Sequence, residues 1–221
     1  MNKIANLLKI ALAIPAFWLV LFLPAGKGIY WEGLVYCGLV GAYGTLVYFA
    51  FRKGRGKKLV ERRMRMKEKR GIQKLSIALS GTLFILGLVL SGLDRRFGIS
   101  DVSLLEISLG NAIVVLGFFL NFLVLKENRN ASRVIEVERG QKVVSTGPYS
   151  IVRHPMYLGF LMISFGTPFA LGSYLALVPF ALMPIPLAIR ILDEEALLKE
   201  KLGGYRAYCG KVRFRLVLGI W

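Results

Sequence analysis

Residues 154–189 read HPMYLGFLMISFGTPFALGSYLALVPFALMPIPLAI, a stretch without Asp, Glu, Lys or Arg. As one continuous helix it would reach roughly 50 Å at about 1.5 Å per residue, well beyond a hydrocarbon core of about 30 Å. The chain therefore has to fold back. Leu171-Gly172-Ser173 is the expected turn, leaving two short limbs, 156–171 and 173–189, interrupted by Pro168, Pro179, Pro184 and Pro186. Broken helices persist at membrane depth only where protein or a water-filled cavity surrounds the irregular backbone, so this hairpin is expected to wall a site.

Four further apolar blocks precede it, at 7–24, 29–51, 72–93 and 102–125, each long enough to span as a helix. The expected fold is an all-α integral membrane protein with four transmembrane helices plus the proline-interrupted hairpin, about six spanning segments. Residues 1–125 supply the four helices and a basic cytosolic loop at 52–70. Residues 126–221 supply a cytosolic segment, the hairpin 156–189 and a cytosolic tail, and are expected to carry the chemistry. Lys3 and Lys9 ahead of the first apolar run also fit a signal peptide, but Leu23-Pro24-Ala25 is a poor small-residue cleavage site, so the first span is expected to be retained.

Composition agrees with that architecture. The 221 residues are 55% apolar and 19% charged, with a mean hydropathy of +0.57, and a water-soluble globule of this size cannot bury so much apolar surface. Apolar residues gathered in long blocks also exclude a disordered chain. Lys and Arg number 30 against 13 Asp and Glu, a net charge of +17. With the amino terminus in the cytosol, all of those 30 except Lys27, Arg95 and Arg96 fall on the cytosolic side, which makes the excess a topology signal. The basic run at 52–70 adds attraction to anionic membrane lipids. No aromatic residue interleaves it, and nucleic acid is not an expected partner. One histidine and two separated cysteines, Cys37 and Cys209, offer no metal spacing and no disulfide framework.

The polar segments flanking the hairpin, 126–153 and 190–221, meet at one membrane face. Gly147-Pro148 marks a turn, and Pro155 forces His154 out of helical geometry while suiting the first position of the next helix. The amino end of that helix presents unpaired N–H groups. Arg153 and His154 facing headgroups, with Tyr157 in an aromatic belt, would equally make a plain membrane-entry signal. Asp193-Glu194-Glu195 follow Arg190 at the other end of the hairpin. Arg190 with Glu194 and Glu195 with Lys199 are i, i+4 partners of an ordinary helix surface, yet these acids are also a rare carboxylate cluster on a basic face. Beyond them, Tyr205 and Tyr208 share one face if helical, and Val212, Phe214 and Leu216 alternate with Arg213 and Arg215 if extended. That segment reads either as an interfacial tail or as a lid over a heteroaromatic ligand.

Taken in order, Arg-His-Pro-x-Tyr-x-Gly at 153–159, the apolar hairpin, Glu194-Glu195, Gly-x-Tyr-x-x-Tyr at 203–208 and a basic ending resemble the isoprenylcysteine carboxyl methyltransferase family of integral membrane enzymes. The resemblance covers roughly residues 147–221. It implies a cytosolic-face site for S-adenosyl-L-methionine, with Arg153 and Glu194 as catalytic residues. It further implies His154, Pro155, Tyr157, Gly159, Glu195, Tyr205 and Tyr208 as cofactor-binding residues, and no metal. The implied acceptor is lipid-like or prenylated, most directly the carboxylate of an isoprenylcysteine. Related membrane enzymes methylate phospholipid amines or small thiols. The chemistry of these side chains suits the cofactor: carboxylates bind ammonium or ribose hydroxyls, a guanidinium fork binds carboxylate or phosphate, and aromatic rings hold adenine. A soluble-type dinucleotide turn is absent from the sequence. Two other classes stand against an enzyme. A small transporter or channel would need more polar residues in the spans than Glu32, Glu106, Asn111 and Asn121, and a non-catalytic scaffold would bind no cofactor.

The charge distribution predicts that a cysteine introduced by Arg62→Cys is shielded from a membrane-impermeant maleimide in intact cells, whereas one introduced by Asp101→Cys is labelled. The reverse pattern would overturn the orientation.

Overall fold

The structure is a computed structural model that describes residues 15–26, 28–52, 68, 70–128 and 141–221. Residues 7–14 of the first apolar block and nearly all of the basic loop lie outside the described residues. Helices α1 (Pro15–Ala25), α2 (Trp31–Phe51), α3 (Gly71–Phe97) and α4 (Leu104–Glu127) come first. A 3₁₀ turn at Gly147–Ser150 leads into α5 (Pro155–Ala170), α6 (Leu177–Ala181), α7 (Pro184–Lys201) and α8 (Tyr205–Lys211). No strand occurs among the described residues. The all-helical expectation stands. Three helices, α2, α3 and α4, are long and apolar enough to cross a membrane, while α1 and α5 are shorter apolar helices.

Local sequence accounts for most boundaries. Ser103 and Glu106 form a reciprocal capping box that starts α4. Gly98 adopts the left-handed conformation at φ 60° and ends α3, its N–H donating to the Asp94 carbonyl. Pro155 occupies the first turn of α5, and Pro184 that of α7. The hairpin reverses at Leu171-Gly172-Ser173, with Gly172 at φ +64° and the N–H of Ser173 donating to the Pro168 carbonyl at 2.9 Å. The return limb is broken: α6 has five residues, and α7 then runs unbroken past Arg190 to Lys201. Membrane limb and carboxylate cluster therefore share one rigid helix.

The reversal is anchored on both sides. Tyr30 donates its hydroxyl to the Leu171 carbonyl at 2.7 Å, and the buried Asp94 carboxylate accepts from the Ser173 hydroxyl, the Ser100 hydroxyl and the Leu175 N–H. At the opposite end of α3, Gln73 donates to the Arg190 carbonyl at 3.1 Å and to Asp193, and Arg70 pairs with Asp193. Helix α3 thus touches both ends of the hairpin.

Helices α4 and α5 approach along glycines spaced seven apart on each: Gly110 and Gly117, Gly159 and Gly166. A Cβ on Gly110 would sit 2.5 Å from the Ala170 nitrogen, and one on Gly117 would sit 2.7 Å from the Gly159 carbonyl oxygen. Such seams let helix backbones touch in an environment that offers no hydrophobic drive for association. Gly159, expected to bind cofactor, is part of this seam: a Cβ there would meet Asn121 Oδ1 at 2.7 Å and the Gly117 carbonyl oxygen at 2.9 Å.

Because the obstructing atoms are largely backbone, Gly110→Ala and Gly117→Ala are each expected to cost about 1–3 kcal/mol. Gly41→Ala in α2, where nothing lies within 4 Å of the new Cβ, should be neutral. Thermal unfolding in detergent distinguishes the two groups, and equal midpoints would refute the seam.

Candidate functional site

The site is built where the entry to α5, the middle of α7 and the carboxyl-terminal tail converge. His154 precedes α5 in a non-helical conformation with Pro155 at the first helical position, as the Arg-His-Pro order requires. The tail lies beside it: the N–H of Arg153 donates to the Phe214 carbonyl at 3.0 Å and that of His154 to the Arg215 carbonyl at 2.9 Å. Arg215 and Leu216 in turn donate their N–H groups to the Trp221 carbonyl oxygen at 2.8 and 2.9 Å. The segment is non-helical but bends at Arg215 to Val217, so the alternation expected of an extended chain does not run through to Leu216, and Arg215 comes to the site at the bend.

Glu195 is the electrostatic centre. Its side chain is only 2% exposed, and its Oε1 lies 3.1 Å from Arg153 Nε and 3.3 Å from His154 Nε2. Its Oε2 lies 3.3 Å from Lys199 Nζ and 3.2 Å from Arg215 Nε. The Lys199 pair is the i, i+4 contact read from the sequence, here one part of a larger cluster. Burial pushes the Glu195 pKa upward, but His154, Arg153 and Arg215 outweigh it and hold the carboxyl down at about 2. The Arg153 contact is one of charge alone, because its buried Nε is not aimed along a hydrogen bond.

Glu194 makes a separate chain. Tyr157 donates its hydroxyl to Glu194 Oε2 at 2.7 Å, and Arg190 Nε donates to the same hydroxyl at 2.8 Å. The Arg190 guanidinium also lies 5.8 Å from the Tyr157 ring centre. Arg190 and Glu194 therefore meet through Tyr157. Sequence reading treated Arg190 only as a surface partner of Glu194. Its position as the first charge after the apolar hairpin was the signal available for assigning it more.

The tyrosines of α8 close the cluster from the tail side. Gly204, at φ +81°, reverses the chain ahead of α8, and Tyr205 and Tyr208 pack with ring centres 5.7 Å apart. Tyr208 donates to the Tyr149 carbonyl at 2.7 Å, whereas the buried Tyr205 hydroxyl makes no hydrogen bond. Burial raises both hydroxyl pKa values, with the Glu195 charge adding at Tyr205 and Tyr149 adding at Tyr208, so both stay neutral phenols. Among the described residues no group of His, Cys, Asp and Glu is arranged to hold a metal.

A cavity of about 600 Å³ opens between the helices beside this site. Its walls are largely apolar, including Ile77, Phe84, Leu125 and Phe160, and its polar end is formed by Tyr157 and Arg190. The hydrogen-bonded chain from Arg190 through Tyr157 to Glu194 thus joins an apolar chamber to the charged cluster.

Residues 105–204 match the phospholipid methyltransferase family. That range begins in α4, ends just before α8, and contains Arg153, His154, Tyr157, Arg190, Glu194 and Glu195. The chain is also 32% identical over 115 residues to protein-S-isoprenylcysteine O-methyltransferase B of Arabidopsis thaliana. This similarity covers 51% of the present chain and 55% of the relative, so the match spans about half the length of each. Both similarities bear out the resemblance read from the ordered motifs.

The sign of the Glu195 shift fixes a pH dependence. Its pKa is about 2 in the folded chain against an ordinary 4.5, so its contribution to stability is complete above pH about 4.5 and is lost as the pH falls through about 2. Glu195→Gln should cost about 3–5 kcal/mol at neutral pH by stranding the Arg153 charge. The variant should also flatten the acid side of the stability profile. Parallel acid limbs for the two proteins in thermal unfolding would overturn the assignment.

Proposed function

We propose that the protein is a membrane methyltransferase that transfers the methyl group of S-adenosyl-L-methionine to a lipid-like acceptor, most directly the carboxylate of an isoprenylcysteine. The observation that carries this reading is the apolar cavity whose polar end, Tyr157 and Arg190, is hydrogen-bonded to Glu194 beside the Glu195 cluster. The phospholipid methyltransferase match and the isoprenylcysteine methyltransferase relative support the same reaction class. The site face is the cytosolic one in this reading, since it gathers the basic segments that the positive-inside rule assigns there.

The residues present fit the cofactor. Arg153 Nε and the Tyr205 hydroxyl are buried polar atoms without a hydrogen bond, and a bound polar ligand would satisfy them. Around the single Glu195 carboxylate stand three cationic side chains and an imidazole. This excess of positive charge matches a ligand carboxylate, and Glu194 matches an ammonium or ribose hydroxyls. His154, with Pro155 fixing its backbone, and the tyrosines Tyr157, Tyr205 and Tyr208 frame the adenosine part. When bound, the cofactor supplies an electrophilic methyl group on a sulfonium.

The acceptor's apolar chain lies in the cavity and its anionic head meets the Arg190 guanidinium, whose fork suits a carboxylate. In this reading Arg190, rather than the expected catalytic Arg153, meets the acceptor, and Arg153 serves the cofactor. Tyr157 holds Arg190 and Glu194 in register. A carboxylate nucleophile is already deprotonated at neutral pH, so these residues need only align the partners in line and exclude water.

Calorimetry on the purified full chain should detect cofactor binding, and Arg190→Gln should raise the KM for a prenylcysteine by about tenfold or more while leaving the cofactor Kd within about twofold. Apparent affinity should also strengthen with acceptor chain length, each buried methylene contributing about 0.8 kcal/mol. Concentrations are referred to the detergent phase, so that partitioning is not read as recognition. Absence of cofactor binding at millimolar concentration would overturn the enzyme reading. A flat chain-length series would overturn only the lipid acceptor.

A further inference from the structure

Helix α3 has 27 residues and is therefore about 40 Å long. Its first turn contacts α7 at the site just described, and its last turn borders a second cavity of about 500 Å³ at the opposite end of the molecule. That cavity is lined by Arg95, Arg96, Tyr30 and the turn between α1 and α2. Gly26 at φ +75° and Gly28 at φ +135° belong to the turn and line the cavity with backbone alone at those two positions.

The two arginines are poorly matched by acids. Arg95 Nη2 donates to the Ile29 carbonyl at 3.2 Å, and its Nη1 lies 3.9 Å from Glu32 Oε1, at the outer limit of an ion pair. The stem of Arg96 lies against Gly26, and its guanidinium sits 5.6 Å from the Phe97 ring centre. No carboxylate pairs with Arg96 among the described residues. The other acids at this end are committed elsewhere or stand apart: Asp94 to Ser100, Ser173 and Leu175, Glu106 to Ser103 and Tyr174, with Asp101 exposed.

Basic residues in the last turn of a helix are ordinarily explained by the helix dipole. Here the end of α3 is already closed by Gly98, and Arg95 reaches across to Ile29. The sequence adds an independent point. Lys27, Arg95 and Arg96 are the three basic residues that the topology leaves on this face, and two of them line one cavity. Lys27 lies outside the described residues, and the geometry stands without it.

We propose that this cavity is a second binding site, for a phosphate-bearing anion held by the Arg95 and Arg96 guanidinium groups. Guanidinium groups grip phosphate oxygens bidentately, and the glycine turn lets a headgroup-sized anion approach the backbone. Either a membrane lipid with an anionic phosphate headgroup or free phosphate presents this chemistry. Occupancy would bridge the α1–α2 turn to α3, stabilising the fold at the end remote from methyl transfer. The inference does not rest on the proposed reaction.

The test is thermal unfolding of the full chain in phosphatidylcholine nanodiscs, titrated with dioleoyl phosphatidic acid in one arm and inorganic phosphate in the other. A ligand that binds the folded chain raises the unfolding midpoint saturably. In at least one arm Arg96→Gln should weaken half-saturation about tenfold or more, while Arg96→Lys, which keeps the charge but loses the fork, should fall between that variant and the wild type. Lys126→Gln, which removes one charge near the other face, should match the wild type. The responding arm names the source, lipid or free anion. An unsaturable response, or equal half-saturation in wild type and Arg96→Gln, would overturn the site. Arg96→Ala gives the same comparison where the Gln variant folds poorly.

Discussion

The reversal of the chain at Gly172 is the constraint on which the rest of the molecule depends. Backbone polar groups freed at a reversal between apolar limbs need partners, so the turn survives only where neighbours supply the bonds. Tyr30 from the start of α2 and Asp94 from the end of α3 do so here. Their hydrogen bonds set where the two limbs begin, and the limb lengths then set where Arg153 and Glu195 meet at the other end. The low helical integrity of the return limb is confined to the part before Pro184, which holds Pro179. From Pro184 onward α7 is continuous, which gives Arg190, Glu194 and Glu195 a fixed angular relation.

That angular relation separates the two glutamates. Adjacent helical residues point about 100° apart, so Glu195 turns into a buried cluster of positive charge while Glu194 turns toward Tyr157 and the cavity. Glu195 is almost fully desolvated, a state that costs several kcal/mol unless the geometry of its partners is good. It draws those partners from three separated segments, at 153–154, 199 and 215. The same carboxylate therefore does structural service for the tail, and the electrostatics of the site are inseparable from the docking of Arg215.

Much of this was legible in the sequence because each part rested on a local rule. The absence of charge over 154–189 required a hairpin, Gly172 offered the turn, and Pro155 fixed a helix start beside His154. The convergence of 153–157 with 194–208 followed from limb lengths alone. What was not legible depended on rotation and packing. Nothing in the linear order distinguishes Glu194 from Glu195, or shows that Tyr157 links Arg190 to Glu194. Gly159 reads as part of a motif, yet its lack of a side chain is required by Asn121 and Gly117 on α4. The Asp94 network is also invisible in sequence, since its partners lie six to eighty-one residues away.

The glycine seam between α4 and α5 has a consequence for traffic through the bilayer. With Gly110, Gly117, Gly159 and Gly166 bringing the two backbones into contact, no acyl or prenyl chain can pass between those helices. Tyr43 of α2 and Ile77, Gly81 and Ile85 of α3 belong to the lining of the cavity. The α4–α5 flank of the chamber is thus a closed wall. A membrane-borne guest of that chamber would have to come by way of another pair of helices.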